Sequence, residues 1–313
     1  MMRETNWILV TGGAGFIGSH SVDLLLANGY QVRVLDNFST GRRENLPENH
    51  PRLKIIRGDL SDQVLLRDVF ADVHAVLHLA AQVSVQKSIE DPASSCQTNI
   101  QSFVQVLEMA RKRNTRLVYA SSAAVYGEPR VLPVSESGIV QAISPYGLEK
   151  YTNELYADLY SRMYGLSSLG LRYFNVYGSR QDPQSPYSGV ISRFVAQIRQ
   201  GEAMTIRGDG LQERDFIHVA DVARVNLLAL TRQVQGVCNI ARGEATTIRQ
   251  LADTLIALQD GQAKLAWVNA VSGDIRHSRA NVERMKAELT EAKVPLESGL
   301  RSLLQDSGSR IRV

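Results

Sequence analysis

The chain has 313 residues, 44% of them apolar and 21% charged, with a formal net charge of +3. This is the composition of a folded protein long enough for one large domain or two, and it excludes a disordered or low-complexity chain. An excess of three charges over this length leaves no nucleic-acid footprint, and no apolar run approaches the ~18 residues of a membrane-spanning helix. Met1 to Asn6 lacks the regions of a secretory signal, so a cytoplasmic protein with no membrane and no nucleic-acid partner is expected. Cys96 and Cys238 show no CxxC spacing, and His20, His74, His78, His218 and His277 form no Cys/His cluster, so no metal site is expected. His78, inside LHLAA, reads as a packed strand residue.

In chain order, short apolar runs alternate with amphipathic stretches. A strand over Trp7 to Thr11 is followed by a helix over Phe16 to Asn28 and a strand over Gln31 to Asp36. Further strands are predicted at Leu53 to Arg57, Ala75 to Leu79, Arg116 to Ala120 and Leu166 to Tyr173. Runs such as VHAVLHLAAQV are apolar on both faces, as parallel strands covered by helices on each side must be. The expectation is an α/β protein with a doubly wound parallel sheet. Beyond Val176 the rhythm breaks: SRQDPQSPYSG is loop, Val190 to Gln200 helix, Met204 to Ile206 a short strand, and RGDGLQERDF turn-rich. The domains are therefore placed at 1–175 and 176–313, with a segment near 214–240, apolar over Val219 to Thr231, returning to the first.

The first strand runs into TGGAGFIGSH, with Gly12, Gly15 and Gly18 at G-x-x-G-x-x-G spacing. Gly12 permits the tight turn, Gly15 lets main-chain N–H groups approach a pyrophosphate at the positive end of the next helix, and Gly18 allows that helix to pack close on the sheet. Asp36 ends the second strand, where its carboxylate can accept from ribose hydroxyls and repel a 2′-phosphate, which favours NAD over NADP. Arg42 and Arg43, just downstream, are the residues that would argue the other way.

SPYGLEKYTNEL reads as a helix, so Tyr146 and Lys150 lie one turn apart on one face. A phenol has an ordinary pKa near 10, and bringing it down by three units requires roughly 4 kcal/mol of preferential anion stabilisation. An ammonium one turn away, with the positive nicotinamide ring, can supply much of that and make Tyr146 a base for a substrate hydroxyl. Ser121 and Ser122 follow the strand at Arg116 to Ala120, at the strand end where open parallel sheets bind ligands.

With these motifs in order, TGGAGFIGS, LDNFSTG, GDL, HLAAQVSV, YASSAAVYGE, SPYGLEK, LRYFNVYG, RGDGLQERDFIHVAD and GDIRHS, the chain resembles the extended short-chain dehydrogenase/reductases that act on nucleotide sugars, and among them the UDP-hexose 4-epimerases. The resemblance covers nearly the whole chain. It implies a Rossmann domain with a smaller C-terminal α/β substrate domain, NAD as cofactor, a UDP-sugar as substrate, and a homodimer formed through Pro92 to Arg113 and Tyr146 to Tyr164. For the cofactor it implies Gly12, Gly15, Phe16, Ile17 and Gly18 at the pyrophosphate, Asp36, Asn37, Ser39 and Gly41 on the adenosine side, and Asp59 and Leu60 at the adenine. Leu79, Ala80, Ala81, Ser121, Tyr146, Lys150 and Tyr173 would surround the nicotinamide half, with Asn99 a structural asparagine nearby. The catalytic set is Ser121, Ser122, Tyr146 and Lys150, and counting back from Tyr126 of AVYG favours Ser122 over Ser121. Toward the substrate, Ser84 and Ser122 would touch the sugar, Asn175 and Arg214 the diphosphate, Val190 the uracil and Arg276 the phosphates. Guanidinium forks suit such a diphosphate.

Nucleotide-sugar 4,6-dehydratases and decarboxylases, the alternatives within the fold, place Asp or Glu just after the strand-end hydroxyl, where this chain has Ala123 and Ala124. A regulator that kept the scaffold and lost its chemistry would be expected to lack Tyr146 or Lys150. In the 4-epimerases the residue ending GDIRHS borders the pocket around the sugar's C2 substituent, and a Tyr there restricts the enzyme to plain hexoses. Ser278 at that position favours UDP-GlcNAc and UDP-GalNAc over UDP-Glc and UDP-Gal.

Overall fold

The computed structural model describes residues 7–183, 189–270 and 275–306. Met1 to Asn6, the middle of the SRQDPQSPYSG loop and the first two residues of GDIRHS therefore lie outside the described residues. The first half alternates as its apolar pattern dictates: β1 (Trp7–Thr11), α1 (Phe16–Ala27), β2 (Gln31–Asp36), β3 (Leu53–Arg57), α2 (Gln63–Val69) and β4 (Val73–His78). Next come α3 (Val85–Glu90), α4 (Pro92–Cys96), a π-helical turn at Gln97–Gln101 and α5 (Ser102–Arg113). Then β5 (Arg116–Ser122), α6 (Pro145–Tyr164) and β6 (Ser168–Tyr173) complete the half.

The second half contains β7 (Asn175–Tyr177), α7 (Val190–Arg199), β8 (Met204–Arg207), β9 (Glu213–His218), α8 (Val219–Thr231), β10 (Gly236–Ile240) and β11 (Ala245–Thr247). It ends with α9 (Ile248–Ala257), β12 (Leu265–Val268), α10 (Glu283–Glu288) and α11 (Leu296–Gln305).

Seven strands form one parallel sheet in the order β10-β6-β5-β4-β1-β2-β3. Chain order reverses at β1, so the carboxyl ends of β1 and β4 open a crevice between them, the usual ligand position in a doubly wound Rossmann sheet. Apolar cores fill both faces, one around Val10, Val34, Leu77 and Val118, the other around Leu9, Val76, Phe103 and Leu117. The alternation of Leu9 and Val10 between the two cores shows why the strands read as continuously apolar.

A third core, with Phe194, Ile206, Leu251 and Leu300, holds the smaller lobe built on the sheets β11-β9-β7 and β12-β8. The chain crosses between lobes more than once. Helix α8 packs on α1 and β10 joins the large sheet beside β6. Ala280, Val282, Met285 and Leu289, around α10, also enter the large-sheet core, so the returning chain is longer than the single segment near 214–240 that the sequence suggests.

One buried polar network ties α6 to the sheet. Arg172 on β6 forks onto Glu154 of α6, Nη2 to Oε2 at 2.6 Å and Nε to Oε1 at 2.8 Å, with both side chains at 5% exposure or less. The second guanidinium arm reaches the Tyr126 hydroxyl at 2.7 Å, which donates to Asn239 Oδ1 at 2.6 Å on β10. Burial alone would lower the guanidinium pKa, but Glu154 outweighs it and holds Arg172 charged. Replacing Glu154 with Leu leaves that charge buried and unpaired. The expected loss is about 3–5 kcal/mol in urea unfolding, and a loss under about 1 kcal/mol would contradict the pairing.

Candidate active site

The crevice is built from loops that its own residues hold in place. Gly12 has φ +69°, and a Cβ there would lie 2.7 Å from the Ala80 nitrogen, so the turn admits only glycine. A Cβ on Gly18 would lie 2.2 Å from the Gly12 carbonyl oxygen. The close approach that Gly18 permits is thus to the loop before the helix, whereas the sequence suggested the sheet. Helix α1 begins at Gly15 with no side-chain cap and no acidic residue in its first turn. The N–H groups of Phe16 and Ile17 form a positive end suited to a diphosphate.

Asp36 closes β2 with its carboxylate accepting from Ala14 N at 2.9 Å and Phe38 N at 2.8 Å. Gly41 lies against the same carboxylate, near enough that a Cβ would sit 2.9 Å from Oδ1. Asn37 donates to Asp59 at 2.8 Å and accepts from Ser39 N at 3.0 Å, while Leu60 beside Asp59 is buried. The Ser61 N–H is the main reason that the Asp59 carboxyl titrates below its ordinary range. Arg42 is paired with Asp182 at 3.0 Å and Arg43 donates to the Leu46 carbonyl at 3.2 Å. This donor set, an uncapped helix start with an acid at the second strand end, fits NAD.

On the other side of the crevice, Leu79, Ala80 and Ala81 follow β4, anchored by Leu79 N to Thr11 O at 3.1 Å and Ala80 N to Thr11 Oγ1 at 3.3 Å. His78 packs as the sequence suggests. Burial and the nearby Lys150 push it down to about 3, and it shares a hydrogen bond with Thr11 at 2.8 Å. Asn99 sits in the π-helical turn and bonds both the N–H and the carbonyl of Gln82 at 2.8 Å, and Glu149 of α6 at 2.6 Å.

Because β5 runs on through Ser122, Ser121 and Ser122 point to opposite faces. Ser121 turns its hydroxyl into the core and donates to Glu154 at 2.5 Å, which joins it to the Arg172 network. Ser122 caps the following turn through Ala124 N at 3.1 Å and bonds the Tyr146 hydroxyl. Tyr173 directs its hydroxyl to Asn226 on α8 at 2.7 Å, so its ring is the part left for a cofactor face.

Helix α6 starts at Ser144, whose side chain accepts from Gly147 N at 3.1 Å, with Pro145 in the first turn. One turn inward, Lys150 is buried, donates to the Ala120 carbonyl at 3.1 Å and lies 5.8 Å from the Tyr146 ring centre. Burial pulls the Lys150 ammonium down to about 8, against the opposing Glu149 carboxylate. Burial also pushes the Tyr146 phenol up to about 12, against the Ser122 hydrogen bond. The protein without ligand therefore raises the phenol, opposite to the direction a base requires. Reaching neutrality takes about five units, or ~7 kcal/mol, more than the spacing alone suggests.

Toward the smaller lobe, Ser84 is buried and caps α3 through Lys87 N at 2.9 Å, which leaves its proton to donate. Asn175 opens β7 and donates to the Asp215 carbonyl at 3.3 Å, and half-buried Val190 opens α7. Arg214 donates to the Ile275 carbonyl at 2.6 Å. Arg276 forks onto Asp209, both contacts at 2.8 Å, which drops that carboxyl to about 2. Ser278 is half-buried on the same segment.

Sequence reading missed Glu149, Glu154, Arg172 and Asp215. Each is a charged residue in an unremarkable pattern, and only the fold reveals its burial. No group of three or more metal-ligating side chains occurs among the described residues.

Residues 8–241 match the NAD dependent epimerase/dehydratase family. A Methanocaldococcus jannaschii protein provisionally named a UDP-glucose 4-epimerase is 39% identical over 95% of this chain and 97% of its own. Arabidopsis thaliana UDP-glucuronic acid decarboxylase 6 is 33% identical over 98% of this chain and 90% of its own.

Among solved structures, UDP-N-acetylglucosamine 4-epimerase from Methanobrevibacter ruminantium M1, in complex with UDP-N-acetylmuramic acid, superposes with TM-score 0.93 at 37% identity, over 97% of this chain and 98% of that one. Thermotoga maritima UDP-glucose 4-epimerase, with UDP-glucose, gives 0.91 at 39% identity, over 96% and 97%. A glycine-bound crevice, a strand-end acid and a Tyr-Lys helix thus agree with the match in sequence and fold: the chain belongs to the NAD-dependent epimerase/dehydratase family.

Proposed function

We propose that the protein interconverts UDP-sugars epimeric at C4, with a preference for UDP-GlcNAc and UDP-GalNAc, through a transient 4-keto sugar. The observation that carries this reading is the Ser122, Tyr146 and Lys150 constellation beside a strand end that bears Ala123 and Ala124 where an eliminating enzyme needs a carboxylate. NAD, when bound, supplies the hydride acceptor for C4 and a positive ring beside the phenol.

The rest falls to the chain. Tyr146 takes the 4-hydroxyl proton, Ser122 holds the same oxygen, and Lys150 keeps a positive charge in the buried space behind the phenol. Arg214 and Arg276 hold the diphosphate, with Arg276 exchanging the Asp209 carboxylate for it. Because the sugar is tethered through its diphosphate, the keto intermediate can turn within the site and be reduced on its other face. A homodimer is also proposed, on the apolar residues Leu155, Tyr156, Leu159 and Met163 that α6 leaves exposed.

The kinship with UDP-glucuronic acid decarboxylases supports decarboxylation as a second reading. NMR of products from UDP-Glc, UDP-Gal, UDP-GlcNAc and UDP-GalNAc, with UDP-glucuronic acid alongside, separates the two. Carbon dioxide release from UDP-glucuronic acid would favour the second.

Tyr146→Phe keeps the ring and removes the base, so UDP-sugar affinity should survive while kcat falls by about 10²–10⁴. Near-normal turnover would overturn the assignment.

Asp36 should make NADP bind at least about 100-fold more weakly than NAD, about 2.7 kcal/mol, because its carboxylate meets the extra phosphate. Calorimetry showing equal affinity would remove Asp36 from that role.

Ser278→Tyr should cut kcat/KM on the acetylated pair by about 10–100-fold and leave the plain hexoses nearly unchanged. An equal fall on both pairs, or a wild type that favours UDP-Glc, would contradict the acetamido-pocket reading.

A further inference from the structure

Asp215 lies in β9 next to Arg214 and is fully buried, at 0% exposure. Its carboxylate is filled by main-chain donors. Oδ1 accepts from Arg242 N at 2.9 Å and Gly243 N at 3.2 Å, and Oδ2 from Gly243 N at 3.0 Å and Ala280 N at 3.1 Å. Three separate stretches of chain meet on this one group. The first is β9 itself, with Arg214. The second is the turn that follows β10, the edge strand of the large sheet, where Gly243 has φ +84°. The third is the segment carrying Arg276 and Ser278, which rejoins the large-sheet core at Ala280.

The Asp215 carbonyl adds Asn175 through its side-chain amide. Every residue assigned above to the diphosphate, together with Ser278, is thus connected through this aspartate or its immediate neighbours. Burial pushes the carboxyl up to about 6 although three N–H groups pull it down and Glu244 adds to the rise, so the fold holds this charge against its preference.

We infer that Asp215 is a positioning residue that sets Arg214, Arg276 and Ser278 against the edge of the large sheet and so fixes the shape of the diphosphate and sugar pockets. This rests on the epimerase reading of those residues. Asp215 acts through the Ala280 N–H and through the strand it shares with Arg214. A proton on either oxygen would face an N–H, so protonation must open part of the clamp.

The charged and titratable groups around it are Glu213 and Arg214 on β9, Arg242 and Glu244 in the turn, and Arg276, His277 and Arg279 on the third segment. A proton gained by His277, Glu213, Glu244 or Asp209 makes the surroundings more positive and would strengthen diphosphate binding. A proton on Asp215 should weaken it. The sign therefore identifies the group.

The test pairs Asp215→Asn with a pH series on the wild type, both carrying NAD. The variant keeps the shape but turns a donor toward the N–H groups. Its KM for UDP-sugars should rise about tenfold or more while kcat changes less than about threefold and the NAD content stays level. A folded variant with unchanged KM, or with kcat reduced at unchanged KM, would overturn the inference.

Should the variant fail to fold, the wild type decides by calorimetry with UDP-glucose, whose diphosphate keeps its charge through this range. Affinity should fall several-fold from about pH 7.5 to about pH 5.5, and a flat or rising affinity would overturn the inference. Absence of UDP-glucose binding at every pH would instead remove the UDP-sugar reading, and this inference with it.

Discussion

The bidentate pair between Arg172 and Glu154 is the constraint on which the site depends. Glu154 lies one turn beyond Lys150 on α6, and Arg172 sits on β6 beside the strand that ends at Ser122. Holding Glu154 fixes both the rotation and the depth of the helix, so Tyr146 and Lys150 face the strand end. Ser121 is drawn into the same pair, and the backward turn of its hydroxyl leaves Ser122 facing the phenol. A second tie, from Asn99 and Ser95 to Glu149, secures the other flank of the helix. Two buried charges are an expensive way to pack a helix, and their geometric definition is what an apolar contact of the same volume would lack.

That definition matters because the site works against its own electrostatics. Burial raises Tyr146 and lowers Lys150, so the protein alone disfavours both the phenolate and the ammonium that the proposed chemistry uses. A positive ring held close to the phenol, in a space with little water, is the natural compensation. The uncapped start of α1 and the Asp36 carboxylate are the features that would hold such a group in register.

Much of this was legible in the sequence, for physical reasons that can be named. Strands such as Trp7–Thr11 and Gln31–Asp36 have apolar residues on both faces and few competing conformations, and their predicted limits match the structure. The glycine loop and the Tyr-Lys helix are local patterns, with their geometry fixed by short spacing. The strands β7, β10, β11 and β12 were not legible, and β9 replaces much of the segment read as turn-rich, since these strands are short and take their places from long-range pairing. Helix α9 could have been found from the capping box in which Thr247 and Gln250 bond each other's main chain. The orientations of Ser121 and Tyr173 depend on buried partners distant in the chain, Glu154 and Asn226, which spacing does not encode.

The central claim is that oxidation and reduction occur at the same carbon of a sugar that never leaves the site. UDP-glucose carrying deuterium at C4, incubated with the NAD-loaded protein in ordinary water, tests it most directly. The account predicts a C4-epimeric product that retains deuterium at C4, with no label in the solvent and no net change in absorbance at the end of the reaction. Loss of the label to water, or a product lacking the C6 hydroxyl, would contradict it.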